Sequence, residues 1–292
     1  MNKTTSPKEA PIGLIGTGLM GTAIAERLLA AECRVLAWDI DAAQLAASRA
    51  EGAADASVVA RNCDRIVLSL PDSQVVDGVI GEMSGHLRRG TVILDTSTGK
   101  PEDAVRFAAG LQERGVTYLD ATISGSSEQV RRGQALVMVG GDEAAQVRCR
   151  DIFAALGAAV AAVGGSGDAA RMKLVTNLVL GLNRAALAEG LALAENLGLD
   201  AEMTAAILKT SAAYSRIMDS KAEKMIHRDF SPVARVSQHL KDVELMLRAG
   251  EMGGLELPLT KTHREILTRA VAAGLGDLDN SAIVEVLRRG NP

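Results

Sequence analysis

Residues Ile12 to Asp39 leave this chain few folds to choose from. A short apolar strand, Ile12 to Ile15, runs straight into Gly16-Thr17-Gly18-Leu19-Met20-Gly21. A helical pattern with apolar Ile24, Leu28 and Leu29 follows from Thr22 to Ala31, and a second strand, Arg34 to Trp38, ends at Asp39. In this order of strand, G-x-G-x-x-G, helix, strand and acid, the glycines allow a tight turn and let a pyrophosphate approach backbone N–H groups at a helix N-terminus. The carboxylate after the second strand accepts the ribose hydroxyls. The stretch therefore implies a dinucleotide. Asp39 would repel a 2′-phosphate and no Arg follows it at once, so NAD is expected over NADP; Arg49 lies too far along to reverse this.

The alternation continues with apolar strands at Arg65 to Leu70, Thr91 to Leu94 and Thr117 to Leu119, the last followed by Asp120-Ala121-Thr122-Ile123-Ser124-Gly125-Ser126. Further strands are expected at Ala135 to Val139 and Ala158 to Val163, around a helix from Glu143 to Leu156. Helical stretches between the strands include Ser73 to Ser84 and Glu102 to Arg114. This is the pattern of an α/β fold, a Rossmann-type doubly wound, mainly parallel sheet with ligand-facing loops at the carboxyl ends of its strands. Gly164-Gly165-Ser166-Gly167 closes the alternation, and beyond it the pattern is helical. The expected division is a disordered tail at 1–11, a nucleotide-binding domain at 12–166 and an all-α domain at 167–292.

The all-α part is built on one long helix, Gly167 to Leu197, with Ser166 or Asp168 as its N-cap and Gly198 as its stop. Apolar residues occupy nearly every face, which predicts protein cover all round and packing against a second copy of the chain, as a homodimer or homotetramer. Lys173 in its second turn is costly in such a setting, with Asn177 one turn above it on the same face. Taken alone, a lysine there would snorkel to the surface.

With 292 residues, 47% hydrophobic composition and a net charge of −4, the chain is large enough for two domains and offers nucleic acid no electrostatic footprint. Cys33, Cys63 and Cys149 suit reduced thiols in a cytoplasm; His86, His227, His239 and His263 are scattered and show no metal-ligand spacing. No apolar run approaches a membrane span.

These motifs together resemble the β-hydroxyacid dehydrogenases, the family of 3-hydroxyisobutyrate dehydrogenase and tartronate semialdehyde reductase, from Ile12 to about Leu287. Four features carry the likeness: Gly16 to Gly21, the loop ending in Ser124-Gly125-Ser126, the run Gly167 to Asn177 with its Met-Lys-Leu-Val, and Lys241-Asp242 following Phe230. The resemblance implies hydride transfer between nicotinamide and a small anionic hydroxy acid or semialdehyde. Lys173 would be its general acid/base, its pKa brought toward working pH by desolvation and the helix dipole. It implies that Ser124, Gly125, Ser126 and Asn177 bind substrate, and that Leu70, Pro71, Thr98 and Lys241 join Gly16, Gly18, Leu19, Met20, Gly21 and Asp39 around the cofactor. Asp242 would orient Lys241. Thr122, Ser126, Ala169 and Asp72 depart from the family pattern, and the hydroxyl of Ser126 either serves a more oxygen-rich anion or fills space. Arg131 and Arg132 beside that loop read as a solvated basic pair. An imine reductase shares the architecture but places an acid or Tyr where Lys173 stands; a non-catalytic nucleotide-binding module is the other alternative.

Overall fold

The computed structural model describes residues 10–288, so most of the expected tail lies outside the described residues. The chain divides into two compact units, one ending at Lys173 and the other beginning at Leu174.

The first unit alternates strand and helix: β1 (Ile12–Ile15), α1 (Leu19–Ala30), β2 (Val35–Trp38), α2 (Ala42–Ala47), β3 (Glu51–Gly52), α3 (Ala56–Asn62), β4 (Arg65–Leu68), α4 (Ser73–Ser84), β5 (Val92–Asp95), α5 (Pro101–Gln112). Then come β6 (Thr117–Ser124), α6 (Ser127–Arg131), β7 (Ala135–Gly140), α7 (Glu143–Arg148), α8 (Arg150–Leu156) and β8 (Gly157–Gly164). The strands form one sheet in the order β3-β2-β1-β4-β5-β6-β7-β8. All pairings are parallel except β6 with β7. Chain order reverses between β1 and β4, which makes the carboxyl ends of those strands the ligand-binding crevice of a doubly wound sheet.

Alternate residues explain why the strands read as continuous apolar runs. Leu14, Val67, Leu94 and Leu119 face one core, with Ile24, Leu28 and Phe153. Ile15, Ile66, Ile93 and Tyr118 face the other, with Val76, Met83 and Phe107. Both faces are covered by helices, so neither position in the period of two is free to be polar.

Two local expectations change. The helix expected from Glu143 to Leu156 is two, α7 and α8, broken at Cys149, whose ψ of 11° leaves the helical range. The fifth strand does not stop at Leu119. It runs to Ser124, because Asp120 to Ser124 pair with Gly140 to Leu136 of β7. Cys63 and Cys149 are free and buried thiols, pushed up to about 12 by desolvation, and thus poor nucleophiles at neutral pH.

One long helix, α9 (Asp168–Asn196), begins in the first unit and continues into the second. The second unit adds α10 (Ala201–Thr210), α11 (Ile217–His227), α12 (Val236–Met252), α13 (Pro258–Ala272), a short 3-10 turn at Asn280–Ala282 and α14 (Ile283–Arg288). Leu187, Ala188 and Leu191 of α9 pack with Met225, Val243, Met246, Leu267 and Ile283. The expected cover on every side of α9 is not supplied by this chain. Met172, Val175, Val179 and Leu193 are 41–57% exposed, on a side of the helix turned away from Leu187 and Leu191.

Candidate active site

The turn after β1 is shaped by what its glycines lack. Gly16 has φ +90°, and a Cβ there would stand 2.2 Å from the Ser69 carbonyl oxygen. A Cβ on Gly21 would meet the Gly16 carbonyl oxygen at 1.9 Å, so α1 can approach the turn only with glycine at that position. Gly18 faces open space and is the N-cap of α1, with no side chain capping the helix. Backbone N–H groups at the start of a twelve-residue helix are thus left for an anion. This cradle fits a dinucleotide pyrophosphate.

Asp39, at the end of β2, accepts from Thr17 N–H at 2.5 Å, from the Thr17 hydroxyl at 3.1 Å and from Asp41 N–H at 2.8 Å. Its charge is therefore held at the glycine turn itself. Leu70 N–H donates to the Ser97 hydroxyl at 2.9 Å, which ties the segment after β4 to the one after β5 and sets Leu70, Pro71 and Thr98 along the same carboxyl edge. A Thr or Ser at a strand end carries no signal by itself, so the sequence does not point to Thr17 or Ser97.

The expected substrate residues separate into two kinds. Ser124 ends β6 and is half-buried. Gly125 has φ +151°, and the chain then enters α6 through Ser126, whose hydroxyl accepts from Gln129 N–H at 3.2 Å while its own N–H donates to Gln129 Oε1 at 2.8 Å. This reciprocal capping box occupies the N–H of Ser126, one of the residues expected to bind substrate. Its signal, Ser followed three residues later by Gln, was present in the sequence. Arg131 pairs with Glu26 at 2.9 Å and Arg132 with Glu128 at 2.9 Å, so both are neutralised locally.

Lys173 is 9% exposed, and its Nζ donates to the Ile123 carbonyl oxygen, one residue before Ser124. The expected caps of α9 act differently from expectation. Asp168, the first helical residue, accepts from Gly165 N–H at 2.9 Å and pairs with Arg171. The N–H of Ala170, by contrast, is taken by the Asp120 carboxylate, 50 residues upstream on β6. Burial raises the Asp120 carboxyl above its ordinary value, opposed by the N–H groups of Ala170 and Gly167. On the adjacent strand, burial likewise raises Asp95, opposed by Ser97 and by the Tyr118 hydroxyl donating at 2.7 Å.

In the second unit, Asn177 and Asp242 are both buried, and the Asn177 amide donates to Asp242 Oδ2 at 3.1 Å. Lys241, next to the Asp242 expected to orient it, lies exposed on α12. His239 and His263, far apart in sequence, meet with ring centroids 5.1 Å apart. Burial and the Arg184 charge push His263 down to about 4, so it is neutral at pH 7. Among the described residues no group of three or more His, Cys, Asp or Glu can hold a metal ion, and no helix is long and apolar enough to cross a membrane.

Comparison with known proteins matches the two halves of the chain to two families. The NAD binding domain of 6-phosphogluconate dehydrogenase matches residues 11–165, and the NAD-binding family of NADP-dependent 3-hydroxyisobutyrate dehydrogenase matches residues 165–287. The chain is 35% identical over 286 residues to 2-(hydroxymethyl)glutarate dehydrogenase of Eubacterium barkeri, covering 96% of this chain and 95% of that protein. It is 34% identical over 281 residues to 2-hydroxy-3-oxopropionate reductase of Escherichia coli K12, covering 94% and 96%. A solved 3-hydroxyisobutyrate dehydrogenase from Salmonella typhimurium superposes with a TM-score of 0.87 at 27% identity, covering 94% of this chain and 99% of that one. Imine reductases are more distant: one from Pseudomonas sp., at a TM-score of 0.66 and 22% identity, shares the fold alone.

Proposed function

Because the chain belongs to the β-hydroxyacid dehydrogenase family, whose members are NAD(P)-dependent oxidoreductases of hydroxy acids and semialdehydes, we propose that Lys173 is its general acid/base and Ser124 its main substrate anchor. The observation that carries this reading is the buried Lys173 ammonium set against the backbone of the strand that ends in Ser124. When bound, the nicotinamide supplies or accepts the hydride. Lys173 donates a proton to the carbonyl oxygen in reduction and takes it back from the hydroxyl in oxidation. Ser124, with the N–H of Gly125, holds the acid group of the substrate, and Asn177, one turn beyond Lys173 on the same helix face, steadies either the substrate or Lys173 itself. By the family motif, Lys241 serves the cofactor.

NAD is the cofactor this reading favours over NADP, because the Asp39 charge is fixed at the glycine turn. Asp39→Ala is expected to lower the ratio of kcat/KM with NADH to that with NADPH by about tenfold, or about 1.4 kcal/mol. A steady-state comparison of the two cofactors checks it, and an unchanged ratio removes Asp39 from the preference.

Two serines in one loop have opposite expected phenotypes. Losing a hydrogen bond to a charged acid group, Ser124→Ala raises the substrate KM about tenfold or more. Ser126→Ala removes a helix cap and costs about 1 kcal/mol of stability while KM stays near wild type. Kinetics and thermal unfolding of the two variants separate anchor from cap.

The substrate class follows the names of the two relatives: 2-hydroxy-3-oxopropionate, and the aldehyde formed when the hydroxymethyl group of 2-(hydroxymethyl)glutarate is oxidised, as carbonyl substrates. Oxidation of NADH in the presence of each, followed by absorbance, tests the assignment, and NADH binding with turnover of none of them would favour a non-catalytic module. The exposed apolar stripe of Met172, Val175, Val179 and Leu193 supports self-association, with the same stripe of a second copy as its cover. A sizing column decides between monomer, dimer and tetramer.

A further inference from the structure

We infer that Asp120 is a positioning residue that decides where Lys173 stands, by holding the first turn of α9 against β6. The inference rests on the acid/base reading of Lys173.

Strand β6 grips α9 at three successive points. The Asp120 carboxylate accepts from Ala170 N–H at 3.0 Å, the Thr122 hydroxyl donates to the Ala169 carbonyl oxygen at 3.1 Å, and the Ile123 carbonyl oxygen accepts from Lys173 Nζ. Asp120 and Thr122 are each 2% exposed, so neither tie competes with water. An anion at a helix N-terminus is favoured by the partial positive charge there, and a buried charge-assisted hydrogen bond is stronger and more directional than a neutral one. The neighbouring strand makes room for it. A Cβ on Gly140 of β7 would stand 2.6 Å from Asp120 Oδ1 and 3.2 Å from Ala169 N, so the carboxylate reaches the helix only because Gly140 has no side chain.

Ala170 and Lys173 are i and i+3 on one face of α9, about 4.5 Å of rise apart, so they move as a unit. Pinning Ala170 therefore fixes the height at which the Lys173 side chain leaves the helix relative to Ser124. A residue one turn away from the proton donor is thus set by a carboxylate that acts through the helix backbone. Misplacing a reacting group by about 1 Å costs about a hundredfold in rate.

The test compares Asp120→Ala, Asp120→Asn and Thr122→Val with wild type and Lys173→Ala, in the full chain with NADH and the semialdehydes named above. Asp120→Ala is expected to lower kcat about a hundredfold, displace the limb of the pH–kcat profile that reports the acid, and leave NADH affinity unchanged. Asp120→Asn keeps an acceptor for Ala170 N–H and is expected to recover most of the loss. Thr122→Val, which replaces the hydroxyl by a methyl, is expected to lower kcat several-fold and stands in if the alanine variant fails to fold. A wild-type kcat and pH profile in Asp120→Ala, or in Thr122→Val should the alanine variant not fold, overturns the inference. So does a loss of kcat that only tracks the fraction unfolded. If Lys173→Ala is inactive while these variants are unimpaired, this inference alone fails; if Lys173→Ala turns over like wild type, the acid/base reading fails and takes this one with it.

Discussion

Lys173→Ala is expected to lose about a hundred- to ten-thousandfold in kcat, the range over which a positioned general acid contributes, while NADH affinity stays near that of wild type. The asymmetry follows from placement. The cradle for the pyrophosphate is made by Gly16, Gly18 and the start of α1, whereas the Lys173 ammonium is bonded to Ile123 of β6. Truncation to Ala removes the donor and leaves a small hole beside β6, so the fold of the first unit should persist. Fluorescence titration with NADH and steady-state kinetics on the semialdehydes measure the two quantities separately. Small primary amines added to the variant should restore part of kcat, since they can enter the space left by the side chain and carry the same proton. A variant with wild-type kcat would show that the proton comes from elsewhere.

The second large effect is on stability and belongs to the helical unit. Lys221 of α11 and Asp279 form a buried ion pair, with Nζ at 2.7 and 2.9 Å from the two carboxylate oxygens and side-chain exposures of 9% and 0%. Asp279 also accepts from the N–H groups of Val233, Ala234 and Ser281 and from the Ser281 hydroxyl. One carboxylate thus ties the loop before α12 and the 3-10 turn before α14 to α11. Asp279→Ala leaves a buried ammonium without its counter-charge and is expected to cost about 3–5 kcal/mol, read from denaturant unfolding. The pH dependence has a definite sign. Burial by itself would raise the Asp279 carboxyl, but Lys221 and Ser281 outweigh it and hold it at about 2, below the ordinary 3.8. A folded value below the unfolded one means that the stabilisation is complete above the unfolded value and is lost as pH falls from about 3.8 through about 2, a difference of about 2 kcal/mol. Asp279→Ala should flatten that part of the stability curve; an equally steep acid limb in the variant would assign it to other carboxylates.

How much of this was legible in sequence depends on the range of the interaction. The strand, glycine turn, helix and acid at Ile12 to Asp39 follow from local periodicity and backbone freedom, and the helix Ser73 to Ser84 is found with the bounds expected. Asp120 shows where such reading stops. The strand expected at Thr117 to Leu119 runs on through Asp120, whose charge is met by the N–H of Ala170, while β7 supplies the pairing that prolongs it. Ser126 shows the converse. Its cap is locally encoded, although its hydroxyl, a departure from the family pattern, reads equally as a substrate contact or as filled space. His239 and His263 have no sequence relation at all, and only the packing of α12 and α13 brings their rings together.

The sequence alone determined the doubly wound α/β architecture, the dinucleotide turn, the long helix and the candidacy of Lys173, because each rests on apolar periodicity, glycine geometry or a motif contained within a few tens of residues. Tertiary structure alone decided what caps that helix, where β6 ends and which buried charges neutralise one another. These are contacts between residues some 50 positions apart, as Asp120 is from Ala170 and Ile123 from Lys173, and no local pattern records the partner that a buried charge finds once the chain has closed.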